Sequence, residues 1–167
     1  MEGRITREIE FEFVGDGGGG DFVVTDQVRS VIMAHLANHE TDAAASLIAT
    51  GAPELGDLLL EHDAAEASRA LREALAEAFV KARDFERAAR AALLIGDPAR
   101  AAPFFERSYQ FDRAAELYEQ AGQNARAAEL YARGLKFDHA ARLYEAADQL
   151  ERAAEAWEKA GDRHRSG

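Results

Sequence analysis

The chain has 167 residues, a formal charge of −11, an apolar fraction of 47% and no cysteine. That length fits one domain with a small appendage, and so acidic a balance argues against binding phosphate backbones or anionic lipid. Without cysteine, disulfides, thiolate metal ligands and cysteine nucleophiles are excluded.

The opening MEGRITREIEF alternates charge and lacks the apolar stretch of a secretory signal. No apolar run approaches the roughly 18 residues that a membrane-spanning helix needs. A soluble, cytoplasmic protein without membrane insertion is expected. From Ile5 to Val14, Ile9, Phe11 and Phe13 alternate with Glu8, Glu10 and Glu12, the period of a strand with one wet face. Gly15 to Gly20 follow, then the β-rich residues 21–25. The glycines are either a hairpin tip or a linker. A phosphate-cradling loop would need a lysine and hydroxyl at P-loop spacing, or a spaced dinucleotide fingerprint, and neither is present. Residues 1–24 are therefore read as a β-like segment and 25–167 as a helical repeat domain. The exposed strand edge offers a route to a homo-oligomer.

Thr25 or Asp26 can cap a helix from about Gln27 to His39, with Val28, Val31, Ile32 and His35 or Leu36 on one stripe. A second helix is expected from Thr41 or Asp42 to Gly51, and a short third one between Pro53 and the leucines 58–60. Residues 63–83 are nearly all helix formers and read as one longer helix.

The C-terminal half is made of seven consecutive 13-residue blocks starting at Arg72, Phe85, Pro98, Phe111, Asn124, Phe137 and Leu150. Three of them read FDRAAELYEQAGQ, NARAAELYARGLK and FDHAARLYEAADQ. The fifth position is always alanine: Ala76, Ala89, Ala102, Ala115, Ala128, Ala141 and Ala154. The eighth is large in six blocks: Phe79, Phe105, Tyr118, Tyr131, Tyr144 and Trp157, with Ala92 the exception. Offsets of three and four place these residues, with the small eleventh position, on one helical face. Thirteen residues advance a helix by about 3.6 turns, so an unbroken helix would swing that face away at every block. The chain must break and reverse. Gly96, Gly122 and Gly161 fall at the twelfth position, where a left-handed C-cap is wanted, and Asp97-Pro98 supplies a cap and a first-turn proline.

Each unit is thus about ten helical residues and a turn of about three, stable only because its neighbours cover it. Alternate blocks open with Phe85, Phe111 and Phe137, which makes the repeat a helix pair of 26 residues with phenylalanines in the seam between pairs.

The stretches RAAELYEQAGQNARAAELYARG and ERAAEAWEKAGDR resemble tetratricopeptide-type helical repeats. They are most similar to the short-helix variants of soluble NSF-attachment proteins and clathrin arms, over about residues 72–163. The resemblance implies a mainly α fold, a right-handed α-solenoid of antiparallel short helix pairs, that binds a peptide or protein partner and is rarely an enzyme. The 26-residue period is shorter than the usual 34 of that family.

Sites of chemistry are sparse. His35 and His39 lie four apart without a third ligand, and His62-Asp63 reads as a turn. Ser46, Ser68 and Ser108 lack a nucleophile-elbow context. No catalytic residue, cofactor or metal is expected. Glu129 with Arg133, and Glu155 with Lys159, read as surface ion pairs within one helix. Arg87, Arg100, Arg113, Arg126 and Arg152 recur at the third block position and form the candidate partner-binding ladder, either clamping an acidic peptide or pairing with the chain's own glutamates. The final block carries no polar capping helix after it, so that end is expected to meet a partner, a second copy or a part of the system outside this sequence.

Overall fold

The computed structural model describes residues 20–166, with side chains described from 25 to 161. Every regular element among them is helical, and consecutive helices pack against one another in repeated pairs, consistent with a helical solenoid.

The N-terminal third is irregular. Helix α1 (Gly20–Ala37) lays Ile32 and Leu36 into the core and packs on α2 (Thr41–Thr50). Residues 21–25, expected to be β-rich, are the first turns of α1. A short apolar run reads equally well as buried helix, and continuity with the Val28–Ile32–Leu36 stripe decides it here. The strand expected over 5–14 and the glycines 15–19 lie outside the described residues.

Next come α3 (Leu55–Leu58), a π-helical turn (Leu59–Asp63) and α4 (Ala64–Glu66). The wider π turn lets the consecutive Leu59 and Leu60 both face inward, where a regular helix would separate them. Instead of one long helix over 63–83, the chain turns extended at Ala67, and Ser68 caps α5 (Arg69–Lys81) by accepting a hydrogen bond from the Leu71 amide at 3.3 Å. The Arg72 guanidinium closes the break, donating to the carbonyls of Ala64 at 2.7 Å and Ala65 at 2.9 Å. These would otherwise be orphans of the α4 terminus.

From there the period governs. Helices α6 (Phe85–Ile95), α7 (Pro98–Arg107), α8 (Phe111–Gln120), α9 (Asn124–Arg133), α10 (Phe137–Ala146) and α11 (Leu150–Ser166) begin thirteen residues apart. Each of α5 to α10 ends in the same way. The twelfth-position residue (Arg83, Gly96, Tyr109, Gly122, Leu135 or Asp148) takes a positive φ between 58° and 81°. The next amide then donates back to the eighth-position carbonyl, as in Asp84 to Phe79 at 2.9 Å and Lys136 to Tyr131 at 2.8 Å. This is a Schellman closure, and it reverses the chain in three residues. Asp84 and Asp97 also cap the following helix through their side chains, whereas Gln110, Gln123 and Lys136 at the same position do not. Those later helices depend on neighbours for their start.

Alanine pairs at the fourth and fifth positions, Ala88–Ala89 through Ala140–Ala141, are fully buried and let the backbones approach. Phe79, Phe105, Tyr131 and Tyr144 fill the space between them. Tyr118 is half-buried, and so are Phe85, Phe111 and Phe137. In α11 the pattern shifts: Ala153, Ala156 and Ala160 are buried, while Ala154 is exposed and Trp157 is 39% exposed. At the eighth position Tyr131 of α9 and Tyr144 of α10 meet His139 and Arg152 on the helix that follows, and no described helix follows α11. Gly161, expected at a left-handed cap, lies inside α11, which runs on to Ser166.

Candidate partner-binding surface

The arginine ladder is largely engaged by the chain's own carboxylates. Arg87 reaches Asp57 at 2.7 Å, Asp84 at 2.7 Å and the Pro53 carbonyl at 2.9 Å, and Arg90 joins it on Asp57. Its Cδ sits so close to Gly56 that a Cβ there would approach to 2.3 Å, so only glycine admits this cluster without a shift of the arginine. The Arg87 hydrogen bond holds the Asp57 carboxyl below its ordinary range, and the same bond raises Arg87.

Farther along, Arg126 grips Glu106 through two 2.8 Å contacts and pairs with Glu129 at 3.2 Å. Arg133 also reaches Glu106, at 3.0 Å, and Arg152 reaches Glu129 at 2.9 Å. The result is one alternating chain, Arg133–Glu106–Arg126–Glu129–Arg152, stitched across α7, α9 and α11. The expected Glu129–Arg133 pair within α9 does not form, because each partner finds a better-placed charge on a neighbouring helix. Glu155 and Lys159 do not pair either. Arg100 and Arg113, by contrast, make no ion pair among the described residues. Arg113 lies 5.5 Å above the Phe105 ring.

A second surface emerges at the turns after α5, α7 and α9, all at one edge of the stack. The half-buried phenylalanines open the next helix there, and each of two is covered by a guanidinium from the end of the helix after it. Arg107 stands 3.9 Å from the Phe85 ring centre and Arg133 stands 4.3 Å from that of Phe111. Lys136 holds Asp112 at 2.7 Å across neighbouring turns. Tyr109, in the left-handed region at φ 61°, is 77% exposed and meets Phe111 edge-on at 6.0 Å. Two cavities open on this edge. One of about 300 Å³ is lined by Tyr109, Gln110, Phe111, Asp112, Arg113 and Gly134, and one of about 260 Å³ includes Pro53, Arg83, Asp84 and Arg87. The cue for this surface lay in the sequence, in bulky Arg83, Tyr109 and Leu135 at the turn position where Gly96, Gly122 and Asp148 stand in the other blocks.

The serines singled out for chemistry, and Asp63, are tied down. Ser46 and Ser108 donate to backbone carbonyls at 3.0 Å, Ser68 caps α5, and Asp63 pairs with Arg29 at 2.8 Å. Among the described residues no group of three His, Cys, Asp or Glu could hold a metal ion, and no helix is long and apolar enough to cross a membrane. No protein-family model, curated protein or solved structure matches this chain.

Proposed function

We propose that this chain is a non-enzymatic interaction module, an adaptor or scaffold that holds a peptide or protein partner along its helical repeats in the cytoplasm. The observation that carries the reading is the repeated helix-pair packing, which presents equivalent positions again and again along one surface. In finer terms we read it as a right-handed, tetratricopeptide-like solenoid with a 26-residue repeat. The guanidinium–phenylalanine contacts Arg107–Phe85 and Arg133–Phe111 support that period, since both members are displaced by 26. The test is site-specific photo-cross-linking in the native host with benzoylphenylalanine at residue 109 or 152, followed by reconstitution with the purified partner. A stoichiometric complex supports the module, and the absence of any reconstitutable complex from either position overturns it.

A second reading is self-association, the alternative expected through the N-terminal segment. What favours it among the described residues is the α11 stripe of Leu150, 65% exposed, with Ala154 and Trp157. Trp157→Glu should then lower the mass seen by light scattering, and an unchanged mass rejects this interface.

A further inference from the structure

We propose that the α7–α8 turn docks an extended acidic segment of a partner protein. One apolar or aromatic side chain of that segment enters the cavity beside Tyr109 and Phe111, and its flanking carboxylates pair with Arg113 and Arg107. This inference rests on the interaction-module reading and adds the partner's chemistry and its place on the stack.

Backbone strain gives the first argument. A tyrosine gains nothing locally from a left-handed φ, and glycine serves the same closure at the turns on either side, at Gly96 and Gly122. The Tyr109 ring contributes little burial in return, being 77% exposed. What the residue does supply is an aromatic wall for a cavity of about 300 Å³ whose other apolar wall is Phe111.

Charge gives the second. Carboxylates outnumber lysines and arginines 31 to 20 in this chain, so acidic partners are plentiful. The fold nevertheless leaves Arg113 in the cavity wall without an ion pair among the described residues. Arg107 is in the same condition among the described residues, its guanidinium carbon 3.9 Å from the Phe85 ring centre, and Arg83 at the neighbouring cavity likewise makes no ion pair among them. The carboxylate in the wall, Asp112, is held through one oxygen by Lys136 at 2.7 Å, while its other oxygen is buried without a hydrogen-bond partner among the described residues. Planar guanidiniums beside aromatic rings match carboxylates flanking an apolar side chain. A nucleic acid or an anionic membrane fits less well, because Asp84 and Asp112 interrupt the cationic row and the whole chain carries −11.

The experiment measures fluorescence anisotropy of a labelled nine-residue peptide, one central Phe with Glu at every remaining position so that carboxylates two residues away share its face, against the full-length chain, beside counterparts with Gln or Lys in place of Glu. The Glu peptide should bind, the Gln peptide at least about tenfold more weakly, and the Lys peptide not detectably. Tyr109→Gly should weaken binding at least about tenfold while holding or raising the thermal midpoint, a combination that a structural role alone would not give. Arg113→Glu should weaken it by a similar factor and Arg113→Lys by much less, while Arg142→Glu, at an exposed residue of α10 that lines neither cavity, changes it less than about twofold. Equal binding of the three peptides overturns the proposal. So does unchanged affinity in a folded Tyr109→Gly chain, or an Arg113-dependent preference for oligouridylate or phosphatidylserine vesicles over the Glu peptide. If cross-linked partners map to the α7–α9–α11 ladder while the peptide fails to bind, this inference falls and the interaction module stands.

Discussion

The turns on the two edges of the stack share a backbone and differ in their side chains. After α6, α8 and α10 the left-handed residue is Gly96, Gly122 or Asp148; after α5, α7 and α9 it is Arg83, Tyr109 or Leu135. Both sets close with the same amide-to-carbonyl bond back to the eighth position. The geometry is therefore dictated by the period and by packing between helices, which fix where each rod must stop. Residue choice is secondary to the turn and free to serve something else. One edge uses that freedom to avoid strain, with residues that tolerate positive φ. The other accepts strain and displays bulk.

If the stack dictates the turns, disrupting the stack must cost more than disrupting any turn. Tyr131 is buried between α9 and α10, its ring 5.3 Å from that of His139. Tyr131→Ala should lower stability by about 3–5 kcal/mol in urea denaturation, more than any substitution at a twelfth position. A smaller loss than at Gly122 would reverse the order of cause.

The same residue gives a pH test of the interior. Burial pushes the Tyr131 hydroxyl up to about 12, with the Glu119 and Glu116 carboxylates adding to the shift. Between its ordinary value near 10 and this raised value, the unfolded chain has lost the phenolic proton while the folded chain keeps it. Stability should accordingly fall as pH rises through that window. Tyr131→Phe, which removes the titrating group but keeps the ring, should show a shallower alkaline decline by thermal melts, and an identical slope would place the ring in solvent.

At the glycine edge the effects should be smaller and purely conformational. A Cβ added at Gly96 or Gly122 meets nothing within 4 Å, so crowding contributes no cost. Gly96→Ala and Gly122→Ala should each destabilise by about 1–2 kcal/mol from the positive φ alone. A neutral result would mean that the turn relaxes to another closure and that the two edges are not equivalent backbones.

Much of this architecture could be read from residues. Repeated alanine at one register and large residues at another announce a face, and thirteen residues cannot keep that face aligned without reversal. The left-handed position was visible at Gly96 and Gly122, where composition and geometry agree. It was invisible at Arg83, Tyr109 and Leu135, because packing overrides local preference there. Gly161 misled for the complementary reason: glycine alone does not end α11, which runs through it to Ser166. The ladder's state was legible only as a choice between two outcomes. Contacts such as Arg126–Glu106 and Arg152–Glu129 span 20 and 23 residues, and they depend on how far each helix slides past its neighbour. No spacing rule within one helix supplies that offset. The cluster of Asp57 with Arg87 and Arg90 escaped for the same reason, joining the irregular N-terminal third to the first regular pair.

The finest discrimination between the edges is Tyr109→Gly. Removing the side chain forfeits an edge contact with Phe111 and little buried area, since the ring stands mostly in water. It also releases a residue from a conformation that only glycine adopts without cost. Glycine's greater freedom in the unfolded chain works against the gain, as it does wherever glycine is introduced. The strain should exceed that loss, leaving a net increase of up to about 1 kcal/mol in urea denaturation. Tyr109→Ala keeps the Cβ and the positive φ, so it should show no such increase. That pair of substitutions separates strain from contact. If both variants are destabilised alike, the Tyr109 ring supports the fold, and the bulky edge owes its residues to stability instead of display.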